Sequence, residues 1–190
     1  MGELRRRLVH ATGAGIPLAY VLDGALGVNA IGWGHVQAFL VAGSTAALCL
    51  EVLRLGGVVD WTIFDRLTRE YEEDNLAGYA LYAFGMTVAA LAFVPRVAVP
   101  AMLMLTVGDP ISGLLSGGGL TKRAPVLAAM FAVCLGLALP FVAPVAAVAG
   151  AAVATAADGL KPVLWTYVID DNLTIPIGAG AAMAAALAVL

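Results

Sequence analysis

Seven apolar stretches divided by short polar connections set the pattern of this chain. They run from Leu8 to Leu26, Trp33 to Leu55, Gly78 to Val94, Val97 to Leu115, Pro125 to Val142, Val145 to Leu160 and Leu173 to Leu190. Several lie near roughly 17 residues, the short end of what crosses a hydrocarbon core of about 30 Å as a helix. Pro140 and Pro144 mark a tight turn between the fifth and the sixth. The pattern predicts an all-α fold: a polytopic membrane helical bundle of about seven transmembrane helices, with residues 1–190 as a single integral membrane domain.

Composition and charge placement add an orientation. The chain is 62% hydrophobic and 12% charged, where a soluble domain carries about a quarter charged residues. With the N-terminus in the cytoplasm, Arg5, Arg6, Arg7, Arg54, Arg66, Arg69, Lys122, Arg123 and Lys161 fall on the inner side and only Arg96 falls outside. That distribution follows the positive-inside rule, and seven spans then leave the C-terminus outside. The basic residues are few and flank apolar spans, so no nucleic-acid partner is expected. Arg5 to Arg7 before an apolar run resemble the start of a signal peptide, but no clean cleavage site follows Pro17, which predicts an uncleaved first helix. Cys49 and Cys134 lie in mid-span without metal-ligand spacing and read as small buried hydrophobes.

The segment 56–77 is expected to be a cytoplasmic interfacial helix, with Trp61, Phe64, Leu67 and Tyr71 recurring at helical spacing. Two basic residues (Arg66, Arg69) stand there against six acidic ones (Asp60, Asp65, Glu70, Glu72, Glu73, Asp74). Such a balance suits a lid or a rim admitting lipid better than a grip on anionic headgroups, the plain alternative being a solvated connector. Glu51 and Arg54 at the inner end of the second span read as an intrahelical pair. The Gly117-Gly118-Gly119 turn lacks the spacing of a P-loop.

Asp109 is the residue hardest to explain as packing. It puts a carboxylate into an apolar run, a change costing roughly 2.5–3.5 kcal/mol at the centre of a bilayer on insertion scales. Gly108 and Pro110 beside it break the helix, and broken backbone at membrane depth persists only inside protein or beside a polar cavity. Asp109 is therefore a candidate oxygen ligand for Mg²⁺, with Ser112 and Gly113 lining the same turn and Lys122 and Arg123 as phosphate contacts. The plain alternative is a Pro-kinked helix capped locally by its own acid. A second group, Glu3, Arg6, Arg7 and His10, shares one helical face and has the composition of a phosphate grip. A topology anchor explains the arginines equally well, but not His10. The third group, Asp170, Asp171 and Asn172, opens the last span, where a helix start favours bound anions and two acids could share a metal with Asp109; capping of the helix by Asn172 or Asp171 is the alternative. Asp158 and Lys161, one turn apart at the end of the preceding span, are weaker candidates. Acids for a divalent cation, bases for phosphates and access from lipid point to phosphoryl or nucleotidyl transfer to a membrane-resident acceptor.

At these residues the chain resembles the CTP-dependent polyprenol kinase family, which includes dolichol kinase, phytol kinase and CTP-dependent diacylglycerol kinase. The resemblance rests on Glu3-x-x-Arg6-Arg7-x-x-His10, Gly108-Asp109-x-x-Ser112-Gly113 and Asp171-Asn172-Leu173-Thr174-Ile175-Pro176, in order along nearly the whole chain, with Arg69-Glu70 and Gly78-Tyr79 as a further match. It implies a kinase that uses CTP and Mg²⁺ to phosphorylate the hydroxyl of a long isoprenoid alcohol of the dolichol, polyprenol or phytol type. The chain departs from the family where Lys122-Arg123-Ala124-Pro125 lacks a following Glu-Gly, and where Asp158 stands for a Glu before the Asp-Asn motif.

On this reading Asp109 and Asp171 hold Mg²⁺. Glu3, Arg6, Arg7, Gly108, Ser112, Gly113, Lys122, Arg123, Lys161 and Asn172 form the nucleotide and phosphate site, and His10 or Asp170 takes the proton of the lipid hydroxyl. The active site faces the cytoplasm from the cell membrane. Two other functions fit parts of the pattern. A CDP-lipid synthase joins the same reactants but releases pyrophosphate, and a small transporter would bind substrate at a broken helix in mid-bilayer.

Overall fold

The computed structural model describes residues 2–59, 75–116, 122–160, 163–164, 167–168 and 170–190, with backbone alone at 2–5, 163–164 and 167–168. Apart from the charged helix Gly2–Thr12, the described helices follow the apolar stretches of the sequence, and the only strands among the described residues form a small antiparallel hairpin pairing Val163 with Val168 and Leu164 with Tyr167. The fold is all-helical apart from that hairpin. The interfacial helix expected within 56–77, the Gly117-Gly118-Gly119 turn and Lys161 lie outside the described residues over 60–74, 117–121 and 161–162.

The first apolar stretch is not one helix, which corrects the expectation of an unbroken first span. It divides into α1 (Gly2–Thr12) and α2 (Gly15–Ala25). The last turn of α1 tightens, with the Gly13 and Ala14 N–H groups donating to the His10 and Ala11 carbonyls at 3.2 and 3.1 Å, as helix ends do when they run out of i−4 partners. The Tyr82 hydroxyl also donates to the His10 carbonyl, at 2.9 Å, and a Cβ on Gly13 would collide with it. Glycine at 13 therefore lets a neighbouring helix reach into the break. Pro17 falls in the first turn of α2, where its missing N–H costs least.

Helix α3 (Trp33–Leu55) is the outer wall. Only Val36, Leu40, Ser44 and Glu51 are buried along it, a narrow stripe facing α4 (Gly78–Ala92), while Phe39, Val41, Cys49 and Val52 are exposed. Cys134 is buried as expected; Cys49 is on the open face instead. Trp33 Nε1 and Gln37 Nε2 both donate to the Ala90 carbonyl at the frayed end of α4, at 3.2 and 2.9 Å. Next comes a central rod made of α5 (Pro95–Leu103), a π-turn over Met104–Gly108 and α6 (Asp109–Leu115). Its most apolar window is 78% buried, against 22% for α3. Helices α7 (Ala124–Ala138), α8 (Pro144–Gly159) and α9 (Asp171–Ala188) complete the bundle. The closest pair is α8 and α9, where Ala147, Gly150, Ala151 and Ala154 meet Ala179 and Met183. A Cβ on Gly150 would press on Met183, and one on Gly180 would strike Phe93. Small residues at such contacts let helix backbones approach without side-chain bulk between them. Trp33–Leu55 and Pro95–Leu115 are each long and apolar enough to cross a membrane.

The inner end of α3 is tied down by charge. Glu51, fully buried, accepts hydrogen bonds from Arg54 Nε and Nη2 at 2.9 Å each, from the Ala77 N–H at 2.8 Å and from the Tyr79 hydroxyl at 2.5 Å. Arg54 Nη2 also donates to the Asn75 carbonyl at 2.6 Å. The pair is thus more than intrahelical: it pins residues 75–79 and the start of α4 to α3. Removing one member of a buried ion pair typically costs about 3–5 kcal/mol, because the other is left uncompensated. Glu51→Ala should therefore lower stability by about that amount, measured by thermal unfolding in lipid discs, while Arg96→Ala at the other end of the bundle should leave it nearly unchanged.

Candidate functional site

The site begins at the π-turn. The Asp109 N–H donates to the Met104 carbonyl, five residues back instead of four. In that register the Leu105 carbonyl falls to Pro110, which has no N–H to give. Leu105 O is met from outside the helix, by His10 Nε2 at 3.1 Å. Gly108 belongs to the packing here: a Cβ would stand about 3.1 Å from Cys134 Sγ and Met130 Cε, so glycine is what allows α7 to close on the turn. Single π-turns of this kind recur at functional sites.

Three carboxylates converge beside this turn. Asp109 opens α6, Asp158 lies in the last turn of α8 and Asp171 opens α9; each offers an oxygen within 4.8 Å of the others. Asp158 is 0% and Asp171 4% exposed, and the Asp109 side chain is 21% exposed. Like charges this close repel by about 3–4 kcal/mol per pair at an effective dielectric of about 20, so the cluster needs compensation. Part of it is built in. Lys122 Nζ donates to Asp158 Oδ1 at 2.5 Å and to Ser112 Oγ at 3.0 Å, and the Ser112 hydroxyl donates to Asp158 Oδ2 at 2.6 Å. His10 Nε2 lies 3.7 Å from Asp109 Oδ2, and Asp171 is at a helix N-terminus, the positive end of its dipole. Three carboxylates so placed are a set of hard oxygen donors, the donor set a divalent cation such as Mg²⁺ takes. Asn172 Oδ1, buried and without a hydrogen-bond partner among the described residues, is a further oxygen of that kind next along the chain.

Arginine enters from α1. A Cβ on Gly113 would fall inside the Arg7 guanidinium, so Arg7 lies flat on α6 one residue from Ser112. Gly85 does the same for α9: a Cβ there would run into the Asn172 carbonyl. The sequence groups around His10, Asp109 and Asp171 therefore form one site on α1, the central rod, α8 and α9.

Not every expected residue joins it in the expected role. The N-cap of α9 is Asp170, where Asn172 or Asp171 was expected: its carboxylate accepts from the Asn172 N–H at 2.9 Å. Arg123 is exposed at the start of α7. Lys122 is engaged with Asp158 and Ser112. Arg6 is half-buried on α1; the side chain of Glu3 lies outside the described residues, as does Lys161. Asp158, ranked low from sequence, is the third member of the acidic cluster. Its signal was an acid closing an Ala/Val helix with no basic residue one turn before it. Tyr82, the brace of His10, carried no signal at all.

No protein-family model, curated protein or solved structure matches this chain.

A divalent cation held by the trio would share Asp158 with the Lys122 ammonium, so Lys122→Met should tighten binding of Mn²⁺ to the folded chain by roughly tenfold or more, one unit charge at this range being worth several kcal/mol. Titration calorimetry in lipid discs measures it. Unchanged affinity would mean that the two cations do not compete.

Proposed function

We propose that this chain is a multi-spanning membrane kinase that transfers the γ-phosphoryl group of a nucleoside triphosphate to the hydroxyl of a lipid alcohol. CTP as donor and a long isoprenoid alcohol as acceptor come from the resemblance to the polyprenol kinase family. The observation that carries the reading is the convergence of Asp109, Asp158 and Asp171 with Lys122 and Arg7 beside a broken, buried helix. On the reading of seven spans with the N-terminus inside, which the distribution of basic residues supports, this cluster would lie on the cytoplasmic side, where the nucleotide is. The exposed apolar faces, Phe39 and Val52 on α3 and Val145 and Val148 on α8 among them, suit contact with lipid tails.

In the reaction the lipid oxygen forms a bond to the γ-phosphorus, the bond from that phosphorus to the β–γ bridging oxygen breaks, and the nucleoside diphosphate leaves. Such transfer asks the protein mainly for positioning and charge compensation. Asp109, Asp158 and Asp171 are the residues that would hold Mg²⁺, and the ion supplies charge neutralisation to the phosphates. Arg7 presents its guanidinium to phosphate oxygens from α1, a planar fork suited to two of them at once. Lys122, released from Asp158 when the acids are otherwise compensated, reaches the same phosphates from the start of α7. Asp109, the most open of the three acids, is the carboxylate placed to receive the hydroxyl proton, and a loose transition state needs no strong base.

Purified protein with labelled CTP or ATP and a panel of polyprenols, phytol and diacylglycerol tests this. The expected products are nucleoside diphosphate and lipid phosphate. Pyrophosphate with CDP-lipid would replace the kinase by a cytidylyltransferase, and no nucleotide consumption with any acceptor would overturn both. Asp109→Asn should lower transfer by roughly 10²–10³-fold, the scale of losing one electrostatic stabiliser. Its unfolding temperature should not fall, since the change relieves repulsion within the trio. Full activity in that variant removes Asp109 from the mechanism.

A further inference from the structure

We propose that His10 is a positioning residue that locks the π-turn and so aims Asp109. The part concerning transfer rests on the kinase reading above; the part concerning the helix does not.

A carbonyl oxygen only accepts, so the 3.1 Å contact between His10 Nε2 and Leu105 O requires the proton on Nε2. Asp109 Oδ2, 3.7 Å from the same nitrogen, is beyond hydrogen-bond range. The Nε2–H is spent on the backbone. The ring is braced on its other side by Tyr82, edge-on with centroids 4.4 Å apart and planes at 68°, and the Tyr82 hydroxyl holds the His10 carbonyl at 2.9 Å. Gly13 makes the room for that hydroxyl.

What this bond does follows from the competition between two windings of the rod. In the π register Leu105 O has no partner within the helix, because Pro110 carries no N–H. In the α register the Asp109 N–H would return from Met104 O to Leu105 O and satisfy it. A buried carbonyl without a donor costs about 1–3 kcal/mol, so loss of the His10 bond shifts the balance by about that much toward the α winding, in which Pro110 falls opposite Thr106 O. Rewinding by one residue turns Asp109 about 100° around the helix axis, away from Asp158 and Asp171. His10 removes that incentive from a separate helix, and α1 thereby sets the direction of an acid on α6.

Two variants separate this from a proton-transfer role. Gln can place an N–H where Nε2 is but cannot titrate near neutral pH; Leu can do neither. The structure of the full-length His10→Leu protein is expected to have the Asp109 N–H on Leu105 O. His10→Gln should keep the π-turn, transfer activity within about threefold of the parent and the parent's pH profile, while His10→Leu loses activity at least tenfold. A π-turn retained in His10→Leu overturns the proposal. So does a His10→Gln variant with an intact π-turn, about a hundredfold loss and a flattened pH profile, which would make His10 the base. A parent protein that transfers nothing strikes the kinase reading alone, because the winding of the His10→Leu rod is read independently of turnover.

Discussion

Mutual repulsion among Asp109, Asp158 and Asp171 is the constraint around which the site is arranged. Each acid comes from a different helix, and none has enough water to disperse its charge. The surrounding elements therefore deliver positive charge or donors to this point: Lys122 from the start of α7, the Ser112 hydroxyl from α6 and the amino end of α9. Three carboxylates brought together in this way offer the hard oxygen donors that a small divalent cation takes.

The central rod makes the convergence possible. It carries Pro100 and Pro110 on either side of a π-turn and is packed on nearly all faces. The backbone groups left over by this winding are met by side chains of other helices, as buried polar groups must be. Glycines do the spatial part of the same task. Gly13, Gly85, Gly108 and Gly113 each leave a gap that a neighbouring helix or side chain enters. The bundle is thus tightest around the acids and loosest at α3, which touches its neighbours through one narrow stripe and through the Glu51–Arg54 clamp.

Much of the helical layout was legible in the sequence. Trp33–Leu55 was expected to the residue, and the turn between α7 and α8 falls where Pro140 and Pro144 put it, because proline and the end of an apolar run act locally. The break at Gly13 was not legible: a Gly-x-Gly-x-Pro stretch is tolerated in a continuous helix start, and what divides it is the Tyr82 hydroxyl from α4. Asp109 and Asp171 stood out as acids costly to bury. Asp158 carries the same cost but ends its helix, where an acid is cheap in water, so its partner had to be seen. Asp170 and His10 show the reverse. Their residue types invite a proton-transfer role, and their hydrogen bonds assign them to a helix cap and to the π-turn.

Taken alone, the sequence determined where most of the described helices run and which acids are anomalous in apolar surroundings, since each of these depends on neighbours a few positions away. Only the tertiary structure decided which acids meet, which oxygen Lys122 compensates and what the imidazole of His10 holds. Those outcomes depend on donor and acceptor distances between helices separated by up to 161 positions (His10 on α1, Asp171 on α9), and no local pattern encodes a distance across a bundle.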